Sequence, residues 1–231
     1  MKAEGDFAVF GETGWLSRES AAFRQAWLAQ GRIIDVARGA TIYREGDEGR
    51  SFYGIVSGAI AAVIGPPRLA PRMVNIMGAG TWFGAGPVLS RGPRSVEFRA
   101  TEASRLLVVP GPAAAQMTAE SPEALRAVGA LAIIGHDLAT RVAAELLIPA
   151  SARRIAAILV RVAAPGQGEG RVAPQGVMLA QSQLAEMANV SRNLANTALR
   201  DFRAAGWVES GYNRIRVIDR EALAAFAYGE D

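Results

Sequence analysis

The chain has 231 residues, of which 50% are hydrophobic and 20% are charged, and its formal net charge is +3. This length suits two globular domains, and the small positive charge permits a polyanionic partner without proving one. The absence of cysteine excludes thiolate catalysis, disulfides and a cysteine-ligated iron–sulfur cluster, and a lone histidine, His136, excludes a two-histidine metal site. We therefore expect no metal, no catalytic residues and no enzyme activity.

The N-terminus gives no sign of a secretory signal. Residues 1–6 are acidic where such a signal is basic and then apolar, and no later apolar run approaches the ~20 residues that a membrane span requires. The expected location is the cytoplasm, without membrane contact.

The first 110 residues are divided by glycine and proline into short β-branched or aromatic runs. A helix is expected before them, from about Ser17 to Gln30, because Phe23 and Trp27 have helical spacing and Gly31 follows. Short strands with turn signals between them favour an all-β barrel or sandwich. The predicted strands run from Arg32 to Val36, Thr41 to Arg44, Phe52 to Val56, Ile60 to Ile64, Met73 to Met77 and Arg105 to Val109.

A long helix is predicted after Ser121. Ser121 is a suitable N-cap, Pro122 suits the first helical position, and no proline interrupts the chain before Pro149. The helix would have about 26 residues and a length of ~40 Å.

Apolar and small residues on this helix are spaced by four and three, which is typical of a coiled-coil seam and favours a homodimer. The alternative is a helix packed only on its own barrel. His136, beside this seam, is interpreted as an interface or satisfied polar residue rather than a haem or metal ligand. The predicted seam comprises Val128, Ala132, Gly135, Ala139, Val142 and Leu146.

Pro149 is predicted to be the hinge before a C-terminal unit. A helix from Ala152 to Ala164 precedes a turn at 165–170, and two further helices lie between Gln181 and Val208. Asn189 suits the tight turn between these two, and Ser191 caps the second. Its buried face is predicted to contain Leu194, Ala198, Leu199 and Phe202.

The opposite face of this last helix has the residue types that read DNA. Arginine pairs with guanine, asparagine pairs with adenine, and short hydroxyls or arginine bind phosphate. An ordinary solvated face is the alternative, but the helix has no glutamate and one aspartate, Asp201. A strand–turn–strand pattern at 207–218, with Arg214 and Arg216, then predicts a wing. The predicted reading face consists of Arg192, Asn193, Asn196, Thr197 and Arg200.

The order of these parts resembles the CRP/FNR family of transcription regulators along essentially the whole chain. The resemblance is carried by Gly39 to Asp47, Phe52 to Gly58, Val190-Ser191-Arg192, Leu199 and Gly206-Trp207-Val208. It implies an α+β fold with an N-terminal β-roll (jelly roll) at 1–120, a dimerisation helix at 121–148 and a winged helix-turn-helix at 149–231. It also implies double-stranded DNA, a second copy of the chain and RNA polymerase as partners.

The resemblance implies that Arg192, Asn193 and Asn196 face base edges and that Thr197 and Arg200 lie near phosphates. Ser191 and Arg214 complete the expected DNA-binding set. The common family pattern has an acidic residue where this chain has Asn193. A carboxylate accepts a hydrogen bond from cytosine whereas an amide suits adenine, so the resemblance does not imply the familiar half-site of the cyclic-AMP receptor.

The expected effector site departs from the family pattern. Members that bind cyclic nucleotides have Gly-Glu and then Arg-Ser/Thr-Ala, where this chain has Gly84-Ala85 and Arg94-Ser95. Arg94 and Ser95 can still hydrogen-bond an anion, but Ala85 cannot form a hydrogen bond to a ribose hydroxyl. The family's hydroxyl pair on the long helix corresponds to Ala139 and Thr140, so only Thr140 retains a hydroxyl.

The sequence therefore favours a small anionic effector over cyclic AMP. The alternative for Arg94 is a free surface charge or a surface ion pair with Glu97. Two alternatives remain for the whole chain: a small-molecule-binding signalling module with weak or no specific DNA binding, and a regulator whose roll is empty.

Overall fold

The structure is a computed structural model, and it describes residues 7–65, 68, 70–163, 176–211 and 213–229. The described residues do not include residues 1–6, the predicted turn at 165–170 or Tyr212 of the predicted wing.

The chain begins with helical segments that cover one end of a β-structure. Helix α1 spans Ala8–Glu12, a 3-10 turn spans Leu16–Arg18, and helix α2 spans Ala21–Ala29. The hydroxyl of Ser20 accepts a hydrogen bond from the Phe23 amide, which fixes the start of α2. The predicted start at Ser17 was too early because the 3-10 turn occupies those residues.

Eight strands follow among the described residues up to Val109 and form two four-stranded antiparallel sheets. The sheet orders are β1-β8-β3-β6 and β2-β7-β4-β5. We call this structure the roll. Its strands are β1 Arg32–Val36, β2 Thr41–Tyr43, β3 Phe52–Ser57, β4 Ile60–Ile64, β5 Arg72–Met77, β6 Trp82–Phe83, β7 Glu97–Ala100 and β8 Ser104–Val109.

Aromatic packing ties the N-terminal helices to the roll. Trp27 of α2 is fully buried, and its ring lies 5.0 Å from that of Phe52 and 5.4 Å from that of Trp15. Gly54 lies directly under Trp82, where an added Cβ would come within 2.6 Å of the indole ring. The sequence Phe52-Tyr53-Gly54 thus leaves room for the tryptophan of the neighbouring strand.

Three helices complete the N-terminal half: α3 Gly86–Ser90, α4 Gly111–Glu120 and α5 Pro122–Leu146. The Ser121 hydroxyl accepts from the Ala124 amide at 3.3 Å, so the predicted cap and long helix are confirmed. Contrary to the sequence expectation, α5 has the length and composition to cross a membrane. One such helix is weak evidence, because core helices of soluble proteins have the same properties.

The predicted seam on α5 contains both buried and exposed residues. Val128 is fully buried and Val142 is 9% exposed, whereas Gly135, Ala139 and Leu146 are exposed. Larger exposed side chains, Leu125 and Ile133 at 53% and 60%, form an apolar stripe one residue further round the helix, and Leu147 directly after the helix is 80% exposed. The buried side of α5, which includes Val128 and Leu131, packs on the roll. The dimer seam stays a prediction.

The C-terminal region is a winged helix-turn-helix. Among its described residues, helix α6 packs against the other three helices of this region, and the three strands form a sheet in the order β10-β11-β9. Buried Ile158, Leu184, Leu199 and Phe202 belong to the core of this region. Its elements are α6 Ser151–Val162, β9 Val177–Met178, α7 Gln181–Met187, α8 Arg192–Ala204, β10 Val208–Gly211, β11 Arg214–Val217 and α9 Arg220–Tyr228.

Candidate functional site

A cavity of about 560 Å³ lies between the roll and α5; we call it the roll cavity. The roll side of its wall is formed by strands β2, β4, β5, β6 and β7 with the segments that follow β6 and precede β7. Most lining side chains are apolar, and none of those described is a carboxylate. The lining residues with polar side-chain atoms are Tyr43, Asn75, Trp82, Arg94 and Ser95.

Arg94 is the charged residue of this wall and is only 2% exposed. Its Nη1 donates to the Gly84 carbonyl at 3.0 Å and its Nη2 donates to the Ser51 carbonyl at 2.8 Å. Its Nε has no hydrogen-bond partner, and no carboxylate among the described residues pairs with it. The alternative of a surface ion pair with Glu97 was wrong, because Arg94 is buried.

Two tyrosines surround the guanidinium without neutralising it. The Arg94 Cζ lies 4.0 Å from the ring centroid of Tyr43 and 5.9 Å from that of Tyr53, so cation–π attraction holds the group in place. Burial raises the pKa of both phenols above their usual value, although Arg94 opposes the shift. Both rings are therefore neutral, and the positive charge remains uncompensated.

Gly84 is essential to this arrangement. Its φ is +102°, and an added Cβ would lie 2.6 Å from the Ser51 carbonyl oxygen and 3.2 Å from the Arg94 Nη1. A side chain at this position would be strained and would collide with the atoms that hold the guanidinium.

The structure brings four of the five predicted effector residues together. Gly84, Ala85, Arg94 and Ser95 all line the roll cavity, whereas Thr140 is exposed and is absent from the cavity wall of this protomer. Ala85 is 6% exposed and packs with the aromatic cluster, so this position offers no hydrogen bond to a sugar.

A second candidate site is the exposed face of α8. The Ser191 hydroxyl caps the helix by accepting from the Leu194 amide at 3.3 Å. The predicted DNA-reading side chains of Arg192, Asn193, Thr197 and Arg200 are exposed, and that of Asn196 is half-buried with an unpartnered Oδ1.

The buried side of α8 differs from the prediction at one position. Leu194, predicted to be buried, is 50% exposed, and Ala195 is fully buried in its place. Ala198, Leu199 and Phe202 are buried as predicted. Leu194 therefore adds an apolar side chain to the exposed surface of α8.

The turn and the wing frame this surface. Asn189 has a φ of +49°, so the predicted left-handed turn between α7 and α8 is confirmed. In the wing, Arg216 pairs with Glu209 at 2.6 Å, while the Nη2 of Arg214 lies 3.9 Å from a carboxylate oxygen of Glu102 in the roll. Arg214 thus contacts the N-terminal half in this conformation.

Strand β5 joins the roll cavity to the C-terminal region. Asn75, which lines the cavity, accepts a hydrogen bond from Arg161 of α6. The Met73 amide donates to Oε1 of Glu186 on α7 at 2.8 Å. Met73 also belongs to the hydrophobic cluster that contains the core of the C-terminal region. The wall of the cavity and the helix-turn-helix are therefore in direct contact.

Comparison with known proteins identifies both halves. The sequence model of the cyclic nucleotide-binding domain matches residues 33–121, and that of the Crp-like helix-turn-helix domain matches residues 153–226. The chain belongs to the CRP/FNR family of transcription regulators. The family resemblance predicted from the sequence, its α+β fold and its regulatory function are thereby confirmed.

Relatives of this CRP/FNR regulator include the CRP-like cAMP-activated global transcriptional regulator of Mycobacterium tuberculosis. The two are 27% identical over 194 residues, which cover 83% of this chain and 86% of the relative. The fold is similar to FixK2 of Bradyrhizobium japonicum, with a TM-score of 0.72 and 16% identity over 87% of this chain and 99% of that one. It is also similar to the c-di-GMP responsive regulator CLP of Xanthomonas campestris, with a TM-score of 0.65 and 19% identity over 86% and 99% of the two chains.

Several features of this CRP/FNR regulator were not found from the sequence. The link through Asn75, Arg161 and Glu186 joins residues that are distant in the chain, so no local pattern reveals it. The aromatic wall of the cavity, including Phe83 and Phe98, was likewise missed. The resemblance to the family pattern located Arg94, but only the structure reveals that its charge is buried and has no carboxylate partner among the described residues.

Proposed function

We propose that this regulator is a cytoplasmic homodimer that binds double-stranded DNA sequence-specifically through α8, under the control of an anionic effector in the roll cavity. The observation that carries the DNA-binding proposal is the exposed row of Arg192, Asn193, Thr197 and Arg200 on a capped helix beside a wing. Family members of this kind bind DNA through the helix-turn-helix and act as dimers. No catalytic step is part of the proposal.

The DNA contacts are divided between bases and phosphates. Arg192, Asn193 and the half-buried Asn196 face base edges in the major groove, because these side chains match guanine and adenine. Thr197 and Arg200 face the phosphate backbone, to which the N-terminal turn at Ser191 also lies close. Arg214 of the wing also faces the phosphate backbone once its contact with Glu102 is released.

Dimerisation uses the exposed apolar stripe of α5. Leu125 and Ile133 of α5 are 53% and 60% exposed, and Leu147, directly after the helix, is 80% exposed; a group of exposed apolar side chains of this size marks an interaction site. Pairing two α5 helices through this stripe places the two copies of α8 on the same side of the dimer. They then face successive major grooves of DNA, which are ~34 Å apart. Thr140 lies on the same exposed side of α5, where it reaches the partner subunit.

The effector contact is Arg94, supported by Ser95 and by the glycine at position 84. The Mycobacterium tuberculosis relative is activated by cAMP. In this chain Ala85 replaces the glutamate of the nucleotide-binding pattern, so cyclic AMP is a less suitable occupant than another small anion.

Signal transfer passes through β5 and the hinge at Pro149. We assign 1–120 to the roll domain, 121–148 to the dimerisation helix and 149–231 to the winged helix-turn-helix. A ligand that contacts the wall at Asn75 alters the bond to Arg161, and Pro149 allows the C-terminal domain to rotate. The ligand shifts the equilibrium to the extent that it binds one orientation more tightly. A bound dimer then contacts RNA polymerase.

Selection from random duplexes tests this function. Full-length protein is equilibrated with a randomised duplex pool, and the enriched sequences are titrated at low and physiological salt. We expect a palindromic site bound about 10³-fold or more tighter than a scrambled duplex at physiological salt. Binding that falls steeply with salt yet is equal on all duplexes would instead support a signalling module without specific DNA recognition.

A further inference from the structure

The roll cavity combines one buried positive charge with apolar walls. We propose that its ligand is a monoanionic carboxylic acid with an aromatic or aliphatic body rather than a cyclic nucleotide. This inference rests on the proposed function, because it names the chemical class of the effector that controls DNA binding.

The charge of the cavity calls for an anion. Arg94 is 2% exposed and has no carboxylate partner among the described residues, and its two nearest aromatic neighbours, Tyr43 and Tyr53, are neutral. An unpaired buried charge is costly, so an anion that enters the cavity gains by neutralising it. The unpartnered Nε and the unused Nη protons of Arg94 remain as donors.

The rest of the wall is unsuited to a sugar. Ala85 has no hydrogen-bonding side chain, and the Oδ1 of Asn75 already accepts from Arg161. Besides Arg94, the described wall offers the Ser95 and Tyr43 hydroxyls, the Asn75 NH2 and the Trp82 indole N–H, but no carboxylate that could accept from ribose hydroxyls. Ribose hydroxyls buried without partners would each reduce the affinity.

The wall facing the ligand body is hydrocarbon and aromatic. Phe83 and Phe98 stack with their ring centroids 4.4 Å apart, and Met77, Leu131 and Leu138 line the same space. A volume of about 560 Å³ is in the usual range for a small-molecule site. A carboxylate at Arg94 with an apolar body among these side chains satisfies both parts of the cavity.

Calorimetry on the purified 231-residue protein tests the ligand class. The probes are phenylalkanoic acids from benzoate to 6-phenylhexanoate, straight-chain acids from hexanoate to dodecanoate, the amide of each acid, and cyclic AMP. We expect at least one acid to bind with micromolar affinity, and its amide and cyclic AMP to bind at least about tenfold more weakly. The proposal is wrong if no acid binds below millimolar concentration, if an amide equals its acid, or if cyclic AMP binds more tightly than every acid.

Variants locate the anion. Arg94→Gln should weaken binding of the best acid by about tenfold or more, whereas Arg99→Gln, an exposed arginine outside the roll cavity, should leave its affinity unchanged. Because Arg94 also holds two backbone carbonyls, Ser95→Asp provides a second test in which Arg94 and its contacts remain. The added negative charge should weaken the acid by about tenfold, and wild-type affinity in Ser95→Asp would overturn the proposal.

The duplex selection separates this inference from the proposed function. If specific DNA binding responds to cyclic AMP and not to the acids, the proposed ligand class is wrong and the proposed function as a DNA-binding regulator is supported. If an acid binds at Arg94 but no duplex is preferred, the ligand class stands and the proposed function fails.

Discussion

Arg161 and Glu145 form a buried ion pair between α6 and α5. The Arg161 Nε lies 2.8 Å and 2.9 Å from the two carboxylate oxygens, and the side chains are 5% and 3% exposed. Burial raises the pKa of the Glu145 carboxyl, although Arg161 opposes the shift. Since Arg161 also donates to Asn75, this pair joins the long helix, the C-terminal region and the cavity wall.

Removing one member of this pair should destabilise the protein. Arg161→Met leaves the Glu145 carboxylate buried without a partner, and we expect the free energy of unfolding to fall by about 3–5 kcal/mol. The double variant Arg161→Met with Glu145→Met should recover most of that loss, because no buried charge remains. Urea unfolding measures both, and a single variant as stable as the wild type would show that the pair is exposed or broken in solution.

The contact between β5 and α7 should protect one particular amide. In Glu186→Ala the Met73 N–H loses its acceptor, so its hydrogen exchange should accelerate, while Glu186→Gln keeps an oxygen in place and should preserve protection. Exchange measured by NMR on the full-length protein provides the comparison. Equal protection in both variants would mean that the helix-turn-helix does not dock on the roll as described.

The exposed stripe of α5 should control the oligomeric state. Ile133→Asp should convert the dimer to a monomer in sedimentation experiments, because it places a charge in the proposed interface. Ala119→Asp on α4 is the matched control and should remain dimeric. Gly135→Leu should leave the dimer intact because Gly135 lines the cavity; a monomer with this variant would favour the originally predicted seam instead.

Two leucines of α8 should differ sharply in their contribution to stability. Leu199 is fully buried, and Leu199→Ala should cost about 2–5 kcal/mol. Leu194 is 50% exposed, so Leu194→Ala should cost less than about 1 kcal/mol. Thermal or urea unfolding distinguishes the two variants. A large loss in the free energy of unfolding for Leu194→Ala would show that Leu194 is buried in the core.

Local patterns predicted the elements of this fold better than their orientation. Ile60 to Ile64 and Arg32 to Val36 were predicted with the observed bounds, since β-branched runs between turns are strong signals. The two-residue strand Trp82–Phe83 was missed, because it is too short to display alternation and is defined by pairing with β3.

The orientation of helices depends on partners that sequence spacing does not identify. On α5, the predicted seam includes buried Val128 and exposed Gly135 and Ala139, so the spacing alone did not separate the buried side of the helix from the exposed side. On α8, Ala195 is buried in preference to the larger Leu194, because the helix lies close to its neighbours. For the effector site, the family pattern supplied Arg94 and Ser95, whereas the burial of Arg94 depends on carbonyls from distant residues.

The central claim is that α8 reads base edges, and a single-base scan with Arg192→Ala tests it most directly. The affinities of the wild type and the variant are measured by fluorescence anisotropy for the selected site and for every single-base substitution of it. We predict that Arg192→Ala loses about 1–3 kcal/mol of discrimination at one base step per half-site, with dimerisation unchanged. An equal loss of affinity on every duplex, with the base preferences of the wild type retained, would contradict the claim.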